Sequence, residues 1–97
     1  MLAMVMIAYN EAVDAEVIEV LNFAGTPNYT KMHSVFGKGA TSGTHLGDDI
    51  WPGLNNVLFI ACNDKQARVL LEGIRQLRKE LGKEGVKAFL LPLQEIT

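Results

Sequence analysis

The chain has 97 residues, of which 48% are hydrophobic and 21% are charged. This length is that of one small domain, and the apolar content excludes a disordered or purely solvating segment. Nine Lys and Arg against eleven Asp and Glu give a formal net charge of -2, without the basic surplus that a general nucleic-acid binder needs. The single cysteine cannot form an internal disulfide, and neither a signal peptide nor a long apolar run is recognisable. We therefore predict one domain over residues 1–97, located in the cytoplasm, without nucleic-acid binding or membrane insertion.

The predicted elements follow one another without a linker or an internal repeat. Residues 2–9 are apolar on both alternating faces, as expected of a central strand. Apolar residues at helical spacing then run over residues 11–24, with Asn10 or Asp14 as a cap and Gly25 as the stop. Residues 29–36 mix β-forming and polar side chains, which predicts an edge or half-exposed strand.

The second half of the chain repeats this alternation of strand and helix. Residues 57–62 form an uncharged, apolar stretch that predicts another strand. Asn63 or Asp64 can cap a second helix, whose apolar face continues to Leu81 before Gly82 ends it. Residues 86–91 predict a last strand, which Pro92 closes.

This order predicts an α+β fold of ferredoxin-like βαββαβ topology, with a four-stranded antiparallel sheet and two helices on one face. In that topology the first and third strands are central, and these are the two strands without charge, whereas the second and fourth carry lysines. The central strands are apolar on both faces, but the helices cover only one. We therefore expect self-association through the other face of the sheet.

The segment between the second and third strands, residues 37–56, holds five of the nine glycines and shows no helical periodicity. Loops of this length are usually functional or disordered. Its glycines allow backbone amides to approach an anion closely, although a flexible hairpin connection explains the spacing equally well. Neither a dinucleotide fingerprint nor a P-loop is present.

Several side chains in or near this segment are candidates for function. His45 is a better functional candidate than His33, and Trp51 forms either a packed turn or an aromatic contact. The two histidines lack the tight spacing of metal ligands, so we predict no dedicated metal site. We interpret Cys62, at the end of an apolar strand, as a small core residue.

A second cluster precedes the last strand and contains Gly82, Lys83, Gly85 and Lys87. Its lysines either solvate the end of a helix or, together with glycine amides, hold a phosphate. No Ser/His/Asp or Cys/His arrangement has a persuasive spacing. We therefore predict that the protein is not an enzyme.

Two stretches resemble the PII signal-transduction family. Residues 29–43 contain Val35-Phe36-Gly37-Lys38-Gly39-Ala40-Thr41-Ser42-Gly43, similar to the base of that family's T-loop, and residues 82–92 are similar to its B-loop and fourth strand. The resemblance implies a homotrimer that binds a small effector, such as ATP, ADP or AMP, in clefts between subunits. It also implies that the mobile loop 37–56 controls a target enzyme, transporter or regulator.

The same resemblance implies roles for individual residues. Lys87 would face the phosphates, and the complete set of effector-binding candidates is Gly37, Lys38, Gly39, Thr41, Gly43, Gly82, Lys83, Gly85 and Lys87. The partner-loop candidates are His45, Asp48, Asp49 and Trp51. A weaker resemblance is to CutA-like proteins, which implies a metal-linked or structural trimer in which His45 and Cys62 would be the residues of interest.

Overall fold

The computed structural model describes residues 2–37, 54–81 and 85–97. Within them a 3-10 turn, Glu11–Val13, links the first strand to the first helix. The elements are β1 (Leu2–Asn10), α1 (Asp14–Phe23), β2 (Thr30–Val35), β3 (Asn55–Asn63), α2 (Asp64–Leu81) and β4 (Val86–Pro92). None of the described helices is both long and apolar enough to cross a bilayer.

The strands form an antiparallel sheet in the order β2-β3-β1-β4. All of β1 pairs with β3, from Leu2 opposite Asn63 to Asn10 opposite Asn55. Its other edge pairs with β4, and β2 pairs with the outer edge of β3. The predicted ferredoxin-like fold is confirmed, and so is the prediction that the first and third strands are central.

The core lies between one face of this sheet and the two described helices. Every second residue of β1 and β3 is buried, because side chains alternate between the faces of a strand. Strand and helix side chains form one buried cluster, whose most completely buried large aliphatic members are Val5, Ile7, Val17, Leu21, Leu58, Ile60, Leu70 and Ile74.

The helix boundaries depend on local hydrogen bonds. The Asn63 side chain accepts from the Gln66 N–H at 2.8 Å, and the Gln66 side chain accepts from the Asn63 N–H at 3.1 Å. This reciprocal capping box starts α2 and selects Asn63, not Asp64, as the cap. The helix predicted over residues 11–24 is shorter in the structure, because Asn10 accepts from the Ala12 N–H at 2.9 Å and holds the first residues in the 3-10 turn.

The predicted loop 37–56 ends two residues too late, because β3 begins at Asn55. Asn55 and Asn56 belong to β3, where they pair with Asn10 and Tyr9 of β1. Their polar side chains do not predict a strand, although both residues pair with β1. Smaller differences occur at the edges of the sheet, where β2 is shorter than predicted by one residue at each end and β4 includes Pro92.

The sheet face opposite the helices, here called the open face, is largely apolar, although Thr30 and Lys87 also lie on it. By strand register it presents Met4, Met6, Ala8, Met32, Val57, Phe59, Phe89 and Leu91. Met32 is 46% exposed and Leu91 is 44% exposed, far more than the residues under the helices. Among the described residues, no helix or strand covers this side of the central strands.

The two helices approach each other closely at Gly73. A Cβ built on Gly73 would lie 2.6 Å from Val20 Cγ1 of α1, well inside contact distance. Val20 is β-branched and has little freedom to rotate away within a helix. Glycine at this position therefore sets the distance between the helices.

We expect Gly73→Ala to lower the free energy of unfolding by about 1–2 kcal/mol, because overpacking against Val20 outweighs the roughly 1 kcal/mol that alanine gains over glycine in a helix. Urea unfolding followed by circular dichroism measures the change. The double variant Val20→Ala/Gly73→Ala removes the overlap, so its loss should be smaller than the sum of the two single losses. Strictly additive losses would contradict the proposed contact.

Candidate functional site

The glycine-containing segments identified in the sequence leave the sheet at the same end. β1 and β2 finish at this end, and β3 and β4 begin there. The Asn10 N–H donates to the Gly85 carbonyl oxygen at 2.9 Å, and the Glu11 N–H donates to the Leu54 carbonyl oxygen at 3.0 Å. These bonds attach the segments before β3 and β4 to the end of β1.

Gly37 follows β2 and packs against Asn55 of β3. A Cβ on Gly37 would overlap the Asn55 Nδ2 atom, so a side chain fits here only if the amide moves. Just before it, β2 contains a bulge between Met32 and Val35, where Ser34 adopts a positive φ of 57°. The backbone thus reaches Gly37 through an irregular segment, and the predicted contact of Gly37 with an effector stays a prediction.

Lys87 lies on the open face, opposite Ala8 of β1. Its side chain is exposed, and its Nζ atom is 5.7 Å from the centre of the Phe89 ring. A cation–π contact of this kind holds the ammonium group near the ring without removing it from solvent. Lys87 is therefore available to an anionic ligand.

Gly85 is less crowded than Gly37. A Cβ built on Gly85 would lie 3.9 Å from the nearest side-chain atom.

The structure does not bring Gly37 and Lys87 together within one chain. Gly37 continues from β2 and Lys87 belongs to β4, and these strands form opposite edges of the sheet. With β3 and β1 between them, three strand spacings separate the edges by roughly 14 Å. Gly37 and Lys87 thus lie at the same end of the sheet but at its opposite edges.

The other predicted site residues lie outside the described residues. These are the effector-binding candidates Lys38, Gly39, Thr41, Gly43, Gly82 and Lys83, and the partner-loop candidates His45, Asp48, Asp49 and Trp51. Their roles stay predictions.

A half-buried polar cluster, which we call the Asp14 network, lies below this end of the sheet on the helix side. The Tyr9 hydroxyl donates to Asp14 Oδ1 at 2.5 Å, and Lys31 Nζ donates to the same oxygen at 2.8 Å. Tyr9 is 1% exposed, and Asn56, which accepts from the Ser34 N–H at 3.3 Å, is 2% exposed. The cluster joins β1, α1, β2 and β3 where the chain enters and leaves the segment 38–53.

Sequence reasoning missed this network. Asp14 was a possible helix cap, but α1 has no side-chain cap, and the carboxylate pairs with Lys31 instead. Burial, together with Asp14, raises the pKa of Tyr9, which keeps the phenol a neutral donor. Burial alone would raise the pKa of Asp14, but hydrogen bonds from Lys31 and Tyr9 outweigh it and hold that pKa below its ordinary value.

Cys62 is a core residue, as predicted. It is 5% exposed on the helix side of β3, and burial, with a smaller effect of Asp64, raises the pKa of its thiol. Within the described ranges no group of three or more His, Cys, Asp or Glu side chains is placed to hold a metal ion. Since His45 lies outside these ranges, the metal-linked role implied by the CutA-like resemblance stays untested.

The Asp14 network predicts a defined pH dependence of stability. Because the folded-state pKa of Asp14 is lowered, its carboxylate stabilises the fold above the unfolded-state pKa of about 3.9, and this contribution is lost as the pH falls through the folded-state pKa. We expect Asp14→Asn to lower the free energy of unfolding at neutral pH, with the difference from wild type shrinking below about pH 4. Urea unfolding at a series of pH values measures it.

The exposed tail variant Glu95→Gln is the matched control, and it should differ little from wild type at every pH. A loss in Asp14→Asn that stays constant down to about pH 2 would show that ionisation of Asp14 has no part in stability.

No protein-family model and no curated relative matches the sequence, but solved structures match the fold. CPII from Thiomonas intermedia K12, bound to ADP, AMP and acetate, has a TM-score of 0.76 and 21% identity, over 99% of this chain and 89% of that chain. The same nitrogen regulatory PII-like protein, bound to ADP, AMP and bicarbonate, has a TM-score of 0.74 and 20% identity, over 97% and 87%. A PII-like signalling protein from Thermus thermophilus has a TM-score of 0.60 and 21% identity, over 92% and 82%. The fold of this chain is therefore the fold of the PII-like proteins.

Proposed function

We propose that the chain is a PII-like signalling protein, not an enzyme, that acts as a cytoplasmic homotrimer. In this proposal an adenine nucleotide binds between subunits, and the segment between β2 and β3 transmits the bound state to a target protein. The observation that carries the proposal is the fold shared with CPII, whose structures contain ADP and AMP, together with the placement of Gly37 and Lys87.

The open face supports the oligomer. Central residues such as Met6 and Phe59 point away from the helices, and Phe89 beside them is 39% exposed. An apolar surface of this extent is usually an interaction surface, and burial of each large side chain stabilises an assembly by about 1.5–3 kcal/mol. A second copy of the chain carries the same surface and is the simplest cover for it.

The position of the candidate residues supports a ligand site between subunits. Gly37 and Lys87 lie on opposite edges of one sheet, so they cannot easily share a phosphate group within a chain. A ring of three subunits places different edges of neighbouring chains next to each other. Backbone amides beside Gly37 from one subunit and the Lys87 ammonium group from the next would then bind the phosphates together.

We expect Met6→Glu to break the trimer, because it places a charge at the centre of the open face, where burial without a partner is costly. Light scattering coupled to gel filtration should give the mass of three chains for wild type and of one chain for the variant. Ile96→Glu in the tail, where Ile96 is 59% exposed, is the matched control and should stay trimeric. A wild-type mass of one chain would overturn the trimer.

Nucleotide binding is tested by thermal unfolding with ATP, ADP and AMP, each with and without bicarbonate. A nucleotide at about 100 times its Kd adds about 2.7 kcal/mol of stability, which raises the Tm of a domain of this size by roughly 10–20 °C. We expect Lys87→Ala to remove most of this shift, because the phosphates lose their cation. Lys65→Ala, at an exposed position early in α2, is the control and should keep it.

The site between subunits has a separate test, in which Gly37→Val and Lys87→Ala chains are coexpressed. Each homotrimer lacks intact sites, but every mixed trimer contains one interface with wild-type Gly37 from one subunit and wild-type Lys87 from its neighbour. We expect nucleotide binding to reappear at one site per mixed trimer. If mixed trimers bind none while wild type binds, the nucleotide site lies within a single chain.

A further inference from the structure

The outer surface of the helix pair carries a groove that the function proposed above does not use. It consists of two adjoining depressions of about 340 Å³ and 360 Å³ that are lined only by residues of α1 and α2. We call it the helix groove. Phe23, Gly73 and Gln76 line both depressions. Because the helices lie on the face of the sheet opposite the open face, an assembly through the open face leaves the helix groove exposed.

The floor of the helix groove is apolar because Gly73 has no side chain. The missing side chain leaves the half-buried Val20 accessible between the helices, beside the buried Leu77. Phe23, the last residue of α1, is 86% exposed and forms one wall. Large aromatic side chains that lie beside a depression are typical anchors of protein–protein contacts.

The rim of the first depression is negative. Glu16 and Glu19 of α1 and Glu80 of α2 line it, and no basic residue does. None of these three carboxylates forms an ion pair with another residue in the described part of the chain. The second depression, by contrast, is lined by Arg68 and by Glu72, whose carboxylate pairs with Arg75 at 3.1 Å. The unpaired carboxylates repel one another, and a cationic ligand would relieve that repulsion.

We propose that the helix groove binds a basic amphipathic helix of a partner protein. A bulky apolar side chain of that helix packs against Phe23 and Val20, and lysine or arginine side chains one turn away face Glu16, Glu19 and Glu80. A second copy of the chain is a poor occupant, since a two-fold contact would place the same carboxylates against each other. Nucleic acids and anionic lipid surfaces are repelled by the same charges.

The test uses a fluorescent helical peptide of about 14 residues, built only from leucine and lysine so that leucines occupy one face. Fluorescence anisotropy measures its binding to the full chain at about 50 and 300 mM salt. We expect saturable binding that weakens with salt, and a loss of about tenfold or more in both Phe23→Ser and Glu16→Gln/Glu80→Gln. The charge variant should also lose most of the salt dependence.

Matched controls distinguish binding in the helix groove from nonspecific hydrophobic and electrostatic binding. Phe36→Ser removes a phenylalanine that is 85% exposed elsewhere, and Glu11→Gln/Glu95→Gln removes two carboxylates away from the groove; both should bind the peptide as wild type does. A leucine–glutamate peptide should not bind. Equal binding of a serine–lysine peptide, or unchanged binding by Phe23→Ser, would overturn the proposal.

Nuclear magnetic resonance gives a second, independent readout. Peptide addition should shift the amide signals of Gly73 and Val20 and leave those of β1 unchanged. Shifts confined to the open face would overturn the groove as the binding site. None of these variants changes Gly37 or Lys87. A negative result for peptide binding therefore does not affect the test of nucleotide binding, and a negative result for nucleotide binding does not affect the test of the helix groove.

Discussion

The rest of the structure depends on one constraint, which is that β1 is paired along both edges and apolar on both faces. Its backbone pairs with β3 along one edge and with β4 along the other, so β1 has no free edge for another strand. Its faces are not equivalent, because Val5 and Ile7 lie under the helices while Met4 and Met6 lie on the open face. The described residues form two layers, the sheet and the helices, and none of their elements covers that second face. Stability and assembly are therefore linked through the same strand.

The strand order also determines where chemistry can occur. Both glycine-containing segments leave the sheet at one end, yet they leave from strands at opposite edges. A ligand that needs both must reach across the sheet or lie between two chains, and the separation of Gly37 from Lys87 favours the second arrangement. Beneath this end, the Asp14 network links Tyr9 of β1 with Lys31 of β2 through one carboxylate. A half-buried charged contact thus links the end of β1 to the start of β2.

The three surfaces of the molecule differ in chemistry, and the difference separates their proposed roles. The open face is largely apolar and suits contact with the same face of another copy of the chain. The end that carries Gly37 and Lys87 offers main-chain groups and a cation, which suit an anion. The helix groove combines an exposed aromatic ring with carboxylates that have no ion-pair partner among the described residues, and these suit a cationic and partly apolar partner. Because the first and last lie on opposite sides of the sheet, one molecule can use both at the same time.

The sequence by itself determined the elements, their order and the strands at the centre, because the alternation of apolar residues and the absence of charge from residues 2–9 and 57–62 report burial on both faces. It also singled out Gly37 and Lys87. Only the tertiary structure decided that Asn55 and Asn56 belong to a strand, that Asp14 pairs with Lys31 across 17 positions, and that Gly73 contacts Val20. Residue patterns record which side of an element is apolar, whereas contacts between elements depend on strand register and helix packing, which no local pattern contains.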